Sequence, residues 1–218
     1  MNELMLETIV LGIVQTNTYI ISNRSLKEAI VIDPADDANR IEQYLKANDL
    51  VCKGILLTHG HFDHILAAAD LKEYTAAPIY AHEAEARLLE DAKINASEHI
   101  RRECSLNPDV LLKDEEILPL AGFMIKVIHT PGHTAGGVCY YFTGHGVLIS
   151  GDTLFYEDIG RSDLPTGNHK QLVHGIRNKL MCLEDSVKVY PGHGCTTTIG
   201  HEREHNIYIS LSSRMFDE

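Results

Sequence analysis

Seven consecutive residues, Thr58-His59-Gly60-His61-Phe62-Asp63-His64, crowd three imidazoles and a carboxylate into one short stretch, and the fold must bring these ligand atoms to a common point. The apolar run CKGILLTH leads into it and reads as a buried strand, so the cluster begins where that strand ends. Side chains two apart in extended chain share a face, which lets His59 and His61 address one point. Asp63 and His64 follow as the chain turns toward a helix and can address a neighbouring point. Imidazole and carboxylate suit zinc, iron or manganese, and each ion needs two or three further ligands.

Three further candidates sit in glycine-bounded loops, each after an apolar strand. His133 lies in HTPGHTAGG after FMIKVI, Asp152 in ISGDTLF after GVLI, and His193 in YPGHGCTTT after SVKV. Glycines let the backbone fold closely at such positions. The remaining eight histidines (82, 99, 129, 145, 169, 174, 201 and 205) read as solvated or hydrogen-bonded groups. His129, four residues before His133, could orient a ligand, but a core or rim histidine is the plainer reading. Cys195 is not needed to complete the set.

The rest of the chain alternates strand and helix patterns in two rounds. ETIVLGIV, NTYIIS and EAIVIDPA read as strands, and 37–50 as a helix on the spacing of Ile41, Tyr44 and Leu45. After the histidine cluster come a helix at ILAAADLKEY, a short strand at PIYAH and a helix at EAEARLLEDA. Residues 91–108 are polar and irregular, a lid or an insertion. Strands return from Val110 to Leu154, followed by a helix near 168–181, the strand SVKVYP and a short helix after Ile199. The expected fold is a single domain over 1–218, a four-layer αβ/βα sandwich of two mixed β-sheets with helices on the outer faces.

Charge and cysteine usage limit the partners. With 19 basic and 31 acidic residues the net charge is −12, which repels phosphate backbones, so no nucleic-acid partner is expected. The first basic residue is Arg24, and no apolar run approaches the roughly 18 residues of a membrane span. Five scattered cysteines without a CxxC read as reduced thiols. A cytoplasmic protein acting on a small molecule is the expectation.

HGHFDH followed in order by HTPGHTAGG, ISGDTLF and YPGHG resembles the metallo-β-lactamase superfamily, most closely its glyoxalase II-type (hydroxyacylglutathione hydrolase-like) enzymes. The resemblance implies two divalent metal ions, zinc first, with iron or manganese as alternatives. A first ion would be held by His59, His61 and His133, and a second by Asp63, His64 and His193, with Asp152 bridging them. A hydroxide between the ions would attack a thioester carbonyl, such as that of S-lactoylglutathione, while Asp63 orients it or shuttles its proton. Arg161, nine residues after Asp152, stands where such enzymes often place a basic residue facing the thiol-borne part of the substrate. Only 25 residues follow His193, so the C-terminal helical segment typical of glyoxalase II is missing and the substrate is less secure than the chemistry. Relatives that are mononuclear iron persulfide dioxygenases share the TPGHT loop and a GR-[ST]-D stretch, here Gly160 to Asp163; lactone or phosphodiester hydrolysis on the same scaffold is a further alternative. The terminal His of HGHFDH, where many zinc β-lactamases carry Arg, points away from β-lactam hydrolysis.

Overall fold

Burial along one strand already dictates layers. In Thr16–Asn23 every residue is buried, with Tyr19 and Ile21 packed on one side and Ile20 on the other. A strand covered on both faces belongs inside a stack of layers. The computed structural model describes residues 3–210. Its first sheet runs in sequence order through Leu4–Leu11 (β1), Thr16–Asn23 (β2), Glu28–Ile32 (β3), Val51–Leu56 (β4), Ile79–His82 (β5) and Val110–Leu112 (β6). β1 to β3 pair antiparallel, whereas β3 to β6 are parallel. Parallel neighbours need crossover connections, supplied here by Ala38–Ala47 (α1), the single turn Phe62–Ile65 (α2), Ala68–Thr75 (α3) and Ala86–Glu90 (α4). Asp37 caps α1 by accepting from the Arg40 amide, and Ile41 and Leu45 form its buried stripe.

The second sheet is built from Ile117–Leu120 (β7), Phe123–His129 (β8), Val138–Phe142 (β9) and Val147–Gly151 (β10). A small separate hairpin, Leu154–Phe155 (β11) with Asp158–Ile159 (β12), follows, and Lys188–Pro191 (β13) and Thr197–Thr198 (β14) complete the sheet in the order β14-β13-β10-β9-β8-β7. β10 and β13 are parallel and the other pairs antiparallel, so β8, β10 and β13 all point the same way. His169–Gly175 (α5) and Ile199–His205 (α6) cover its outer face.

Tyr19, Ile21, Ile30 and Ile32 of the first sheet meet Phe123, Ile125, Tyr140, Phe142 and Ile149 of the second in the central core. Ile20, Val31 and Ile55 pack outward against Ile41, Leu45 and Leu71. Ile128, Cys139, Leu148 and Val189 pack outward against Leu172, Ile176 and Ile199. The sandwich of two mixed sheets between helical layers is therefore the fold read from the sequence. Among the described residues no helix is long and apolar enough to cross a membrane.

Three details differ from the sequence reading. The helix expected over 168–181 is α-helical only to Gly175; Ile176–Leu180 widens to π-helical pitch. The β11–β12 hairpin had no signal, being only two residues per strand. The irregular 91–108 segment, read as a lid or an insertion, is anchored to the body of the fold. The Phe62 amide donates to the Asn95 carbonyl (2.9 Å), Asn95 Nδ2 donates to the Cys104 carbonyl (2.9 Å), and Arg102 grips both oxygens of Asp36.

Candidate metal centre

The ligand-bearing loops leave the ends of β4, β8, β10 and β13 and converge on one rim. His59, His61 and His133 bring one ring nitrogen each within 4.8 Å of the others, and so do the ligand atoms of Asp63, His64 and His193. Asp152 lies between the two groups. Its Oδ1 is 3.4 Å from His64 Nε2, and its Oδ2 is 3.6 Å from both His133 Nε2 and His193 Nε2. Asp63 Oδ2 sits 3.1 Å from His193 Nε2 and 3.5 Å from His64 Nε2. Bonds of 2.0–2.1 Å to a tetrahedral ion place neighbouring ligand atoms about 3.3 Å apart. Most of these separations bracket that value, while His61 Nδ1 and His133 Nε2, at 2.9 Å, are somewhat closer.

Partners outside the cluster orient three of its five imidazoles. Asp33, wholly buried at the end of β3, accepts from the Thr58 amide through Oδ1 (2.7 Å) and from the Thr58 hydroxyl through Oδ2 (2.6 Å). That hydroxyl has one proton, given to Asp33, so it can only accept from His59 Nδ1, 3.1 Å away. Asp33 Oδ2 also accepts from His64 Nδ1 at 2.8 Å. The Arg161 carbonyl accepts from His133 Nδ1 at 2.7 Å. One carboxylate and one carbonyl thus turn Nε2 of His59, His64 and His133 inward. His59 Nε2, His61 Nε2, His64 Nε2 and Asp152 Oδ1 are buried without any hydrogen-bond partner. Buried polar atoms are costly when unpaired, and a cation shared by several of them removes that cost. The residues present therefore fit divalent metal ions.

The charge states split in two. Burial, reinforced by the neighbouring His64 and His133, holds His59 far below the usual imidazole range, and burial beside His133 takes His61 down to about 3. Burial opposes a charge on His64 as well, but Asp63, Asp152 and Asp33 outweigh it and hold His64 protonated. Asp63 and Asp152 stay ionised despite burial because His64 and its fellow imidazoles face them. Without metal, a proton on His64 takes the place of a cation.

The hairpin joining β1 to β2 braces the far side. Thr16 Oγ1 donates to Asp63 Oδ2 (3.1 Å), and Asn17 Nδ2 donates to the carbonyls of Pro191 (2.9 Å) and Gly194 (3.1 Å) around His193. Gly192 has to be glycine, because a Cβ there would lie 2.2 Å from Asp152 Oδ1 and 2.7 Å from His64 Cε1.

All seven sequence-derived ligand candidates meet at this rim. Arg161 stands beside it, with its carbonyl on His133 and its exposed guanidinium held by both oxygens of Asp163 at 2.8 Å. His129 orients no ligand: it stacks on His82 at 3.9 Å and bonds the Ala135 carbonyl. The span His201 to His205 spells HExxH, but its Glu202 is buried and committed to Thr197 and Asn206. Sequence reasoning missed Asp33, Thr58 and Glu85. Asp33 carried one faint signal in sequence, an acid closing the apolar run EAIVI; in the structure it takes a left-handed φ of 50°.

Residues 11–200 match the family model for the metallo-beta-lactamase superfamily. The chain is 37% identical over 193 residues to hydroxyacylglutathione hydrolase GloC of Haemophilus influenzae, spanning 86% of this chain and 90% of that one. Among solved structures it is similar to the BLEG-1 B3 metallo-beta-lactamase (42% identity, TM-score 0.89, 94% and 99% covered). It is also similar to TTHA1623 in a di-iron-bound form (32% identity, TM-score 0.82, 92% and 98% covered).

Proposed function

The chain belongs to the metallo-β-lactamase superfamily, and from that premise we propose that it is a cytoplasmic, dinuclear metal-dependent thioester hydrolase acting on a hydroxyacyl thioester such as S-lactoylglutathione. The observation that carries the dinuclear part is Asp152, whose carboxylate lies within 3.6 Å of imidazoles from both groups, His133 on one side and His64 and His193 on the other. The substrate class rests on the likeness to a hydroxyacylglutathione hydrolase. Zinc or iron suits the donor set, and the similarity to a di-iron protein keeps iron in view.

His59, His61 and His133 would hold one ion, Asp63, His64 and His193 the other, and Asp152 both. Bound there, the ions would supply an acidified water as nucleophile and a Lewis acid for the developing oxyanion. Asp63, whose Oδ2 accepts from Thr16 and lies 3.1 Å from His193 Nε2, would take a proton and pass it to the departing thiolate. Asp33 and the Arg161 carbonyl hold Nδ1 of His64 and His133, so that Nε2 is the atom each ring would turn to an ion, His64 giving up its second proton as the ion enters. The Arg161 side chain, on the rim, would receive the anionic end of the thiol carrier by exchanging it for Asp163.

The test follows loss of the thioester absorbance of S-lactoylglutathione, before and after a chelator and after zinc or iron is returned. Turnover that disappears with the metal and returns with it supports the reading; fully metallated but inert protein removes the substrate class. A second substrate, a chromogenic β-lactam, belongs in the same assay. The likeness at 42% identity to a protein named a B3 metallo-beta-lactamase is the reason to include it, against the sequence argument that set β-lactams aside. Persulfide oxygenation at a single iron shares the Gly160–Asp163 motif but leaves the two-sided posture of Asp152 without a purpose.

A further inference from the structure

Glu85 is a buried acid outside the ligand set. It ends the 3₁₀ turn Glu83–Glu85 that follows β5, and it is 1% exposed. Its side chain enters the seam between two ligand loops. Oε1 accepts from the Gly60 amide at 2.8 Å, and Gly60 lies between His59 and His61. Oε2 accepts from the Gly136 amide at 2.6 Å, in the loop that carries His133. One loop leaves the first sheet and the other belongs to the second, so a single carboxylate ties the two sources of the His59–His61–His133 group together.

The surroundings are shaped to this contact. A Cβ on Gly136 would lie 2.4 Å from the Glu85 amide nitrogen, so the loop approaches Glu85 more closely than any other residue type permits. A Cβ on Gly60 would lie 2.7 and 2.8 Å from Leu88 and Leu89, one turn further along the same segment. The strands behind the loops have ties of their own, Val138 amide to Thr58 carbonyl (2.9 Å) and Tyr140 hydroxyl to Leu57 carbonyl (2.7 Å). Glu85 acts beyond those ties, where the loops have left the sheets. Burial pushes its acid up to about 7; an apolar side chain would avoid burying a carboxylate but would leave the Gly60 and Gly136 amides unpaired.

We propose that Glu85 is a positioning residue that sets the distance between His133 and the His59–His61 pair, and through it the affinity of the first metal position. The inference rests on the reading of that triad as a metal site.

The experiment titrates metal-free wild-type protein, Glu85→Gln, Glu85→Asp and His133→Ala with zinc against a chromophoric chelator, with melting temperatures of the metal-free forms alongside. Glutamine cannot serve both amides, because its NH2 must face one of them. Aspartate keeps the charge but is one methylene too short to span the seam. Both variants should bind one zinc with wild-type affinity and the other about 10- to 100-fold more weakly, the size of effect usual when a group supporting a metal ligand is removed. His133→Ala marks what loss of the first position looks like. Equal weakening of both zincs in step with a lowered melting temperature would mean a merely structural role and overturn the proposal, as would two unchanged affinities. Should a variant not fold, hydrogen exchange of wild-type metal-free protein decides: slow exchange at Gly60 and Gly136 supports the tie, and rates of open loop amides overturn it. If wild-type protein binds no zinc, the metal-site reading itself fails, which is a distinct outcome.

Discussion

Replacing Asp33 by Asn tests how the centre chooses its ligand atoms. The change is nearly isosteric, yet Oδ2 of Asp33 accepts two protons, from Thr58 Oγ1 (2.6 Å) and His64 Nδ1 (2.8 Å). An amide nitrogen in its place donates instead. Thr58 must then accept from it and give its own proton to His59 Nδ1, while His64 Nδ1 must be bare. Both imidazoles are driven to the tautomer with hydrogen on Nε2, the atom aimed at the metal. If the amide flips, its NH2 faces the Thr58 amide that now donates to Oδ1 at 2.7 Å, and a buried donor is left unpaired. Removing such a supporting group costs about 10- to 100-fold in metal affinity, or about 1.4–2.8 kcal/mol per ion. Because Asp33 reaches one imidazole of each group, both metals should weaken, unlike the one-sided loss expected at Glu85. Chelator competition measures the affinities, and ¹⁵N chemical shifts of the imidazoles report the tautomers. Two wild-type affinities in Asp33→Asn, with His59 and His64 still protonated at Nδ1, would refute the relay.

Gly192→Ala should lower metal content and turnover together, since its Cβ would collide with Asp152 and His64; elemental analysis showing two full equivalents would contradict this. Metal binding to metal-free protein at neutral pH should release a proton, because His64 is held protonated by Asp63, Asp152 and Asp33 until a cation replaces that charge; an unbuffered titration without acidification would refute it. His61 falls from 6.5 to about 3 on folding, so between those values the unfolded chain binds a proton that the folded chain does not. Its contribution to stability is complete above pH 6.5 and is lost as pH falls toward 3, and metal-free His61→Gln should therefore lose less melting temperature on acidification than wild type. Arg161→Ala should raise KM for the anionic thioester several-fold at unchanged metal content, and Asp163→Ala, which frees the guanidinium, should lower it; an unchanged KM in Arg161→Ala sinks the assigned role.

What was legible in the sequence followed from locality. The layers could be read because a strand such as NTYIIS is buried on both faces and an alternation such as Ile41 to Leu45 marks a covered helix. The ligands could be read because each ends an apolar strand in a glycine-bounded loop, and four of them fall within six residues. Asp33 and Glu85 escaped for the opposite reason. Asp33 meets Thr58 at a separation of 25 residues and His64 at 31, and Glu85 meets Gly60 at 25 and Gly136 at 51. Nothing beside Glu85 in EAEARLL distinguishes it from the acids of an ordinary amphipathic helix. The glycines were legible as turns but not in their cause, because Gly136 yields to Glu85 and Gly192 to Asp152 and His64, each a contact across the fold.

A division of labour follows for the centre. The histidine motif supplies atoms able to bind a cation, but an imidazole offers either nitrogen, and a loop can stand at many distances from its neighbour. Asp33 removes the first freedom by fixing protons on His59 and His64, and Glu85 removes the second by joining the loops of His59–His61 and His133. Both are buried carboxylates that point away from the metal position: Asp33 bonds Thr58 and the outer nitrogen of His64, and Glu85 bonds the amides beside the ligands. A chain that kept all seven ligands and lost these two acids would still read as a metal site in sequence, and it should bind metal poorly.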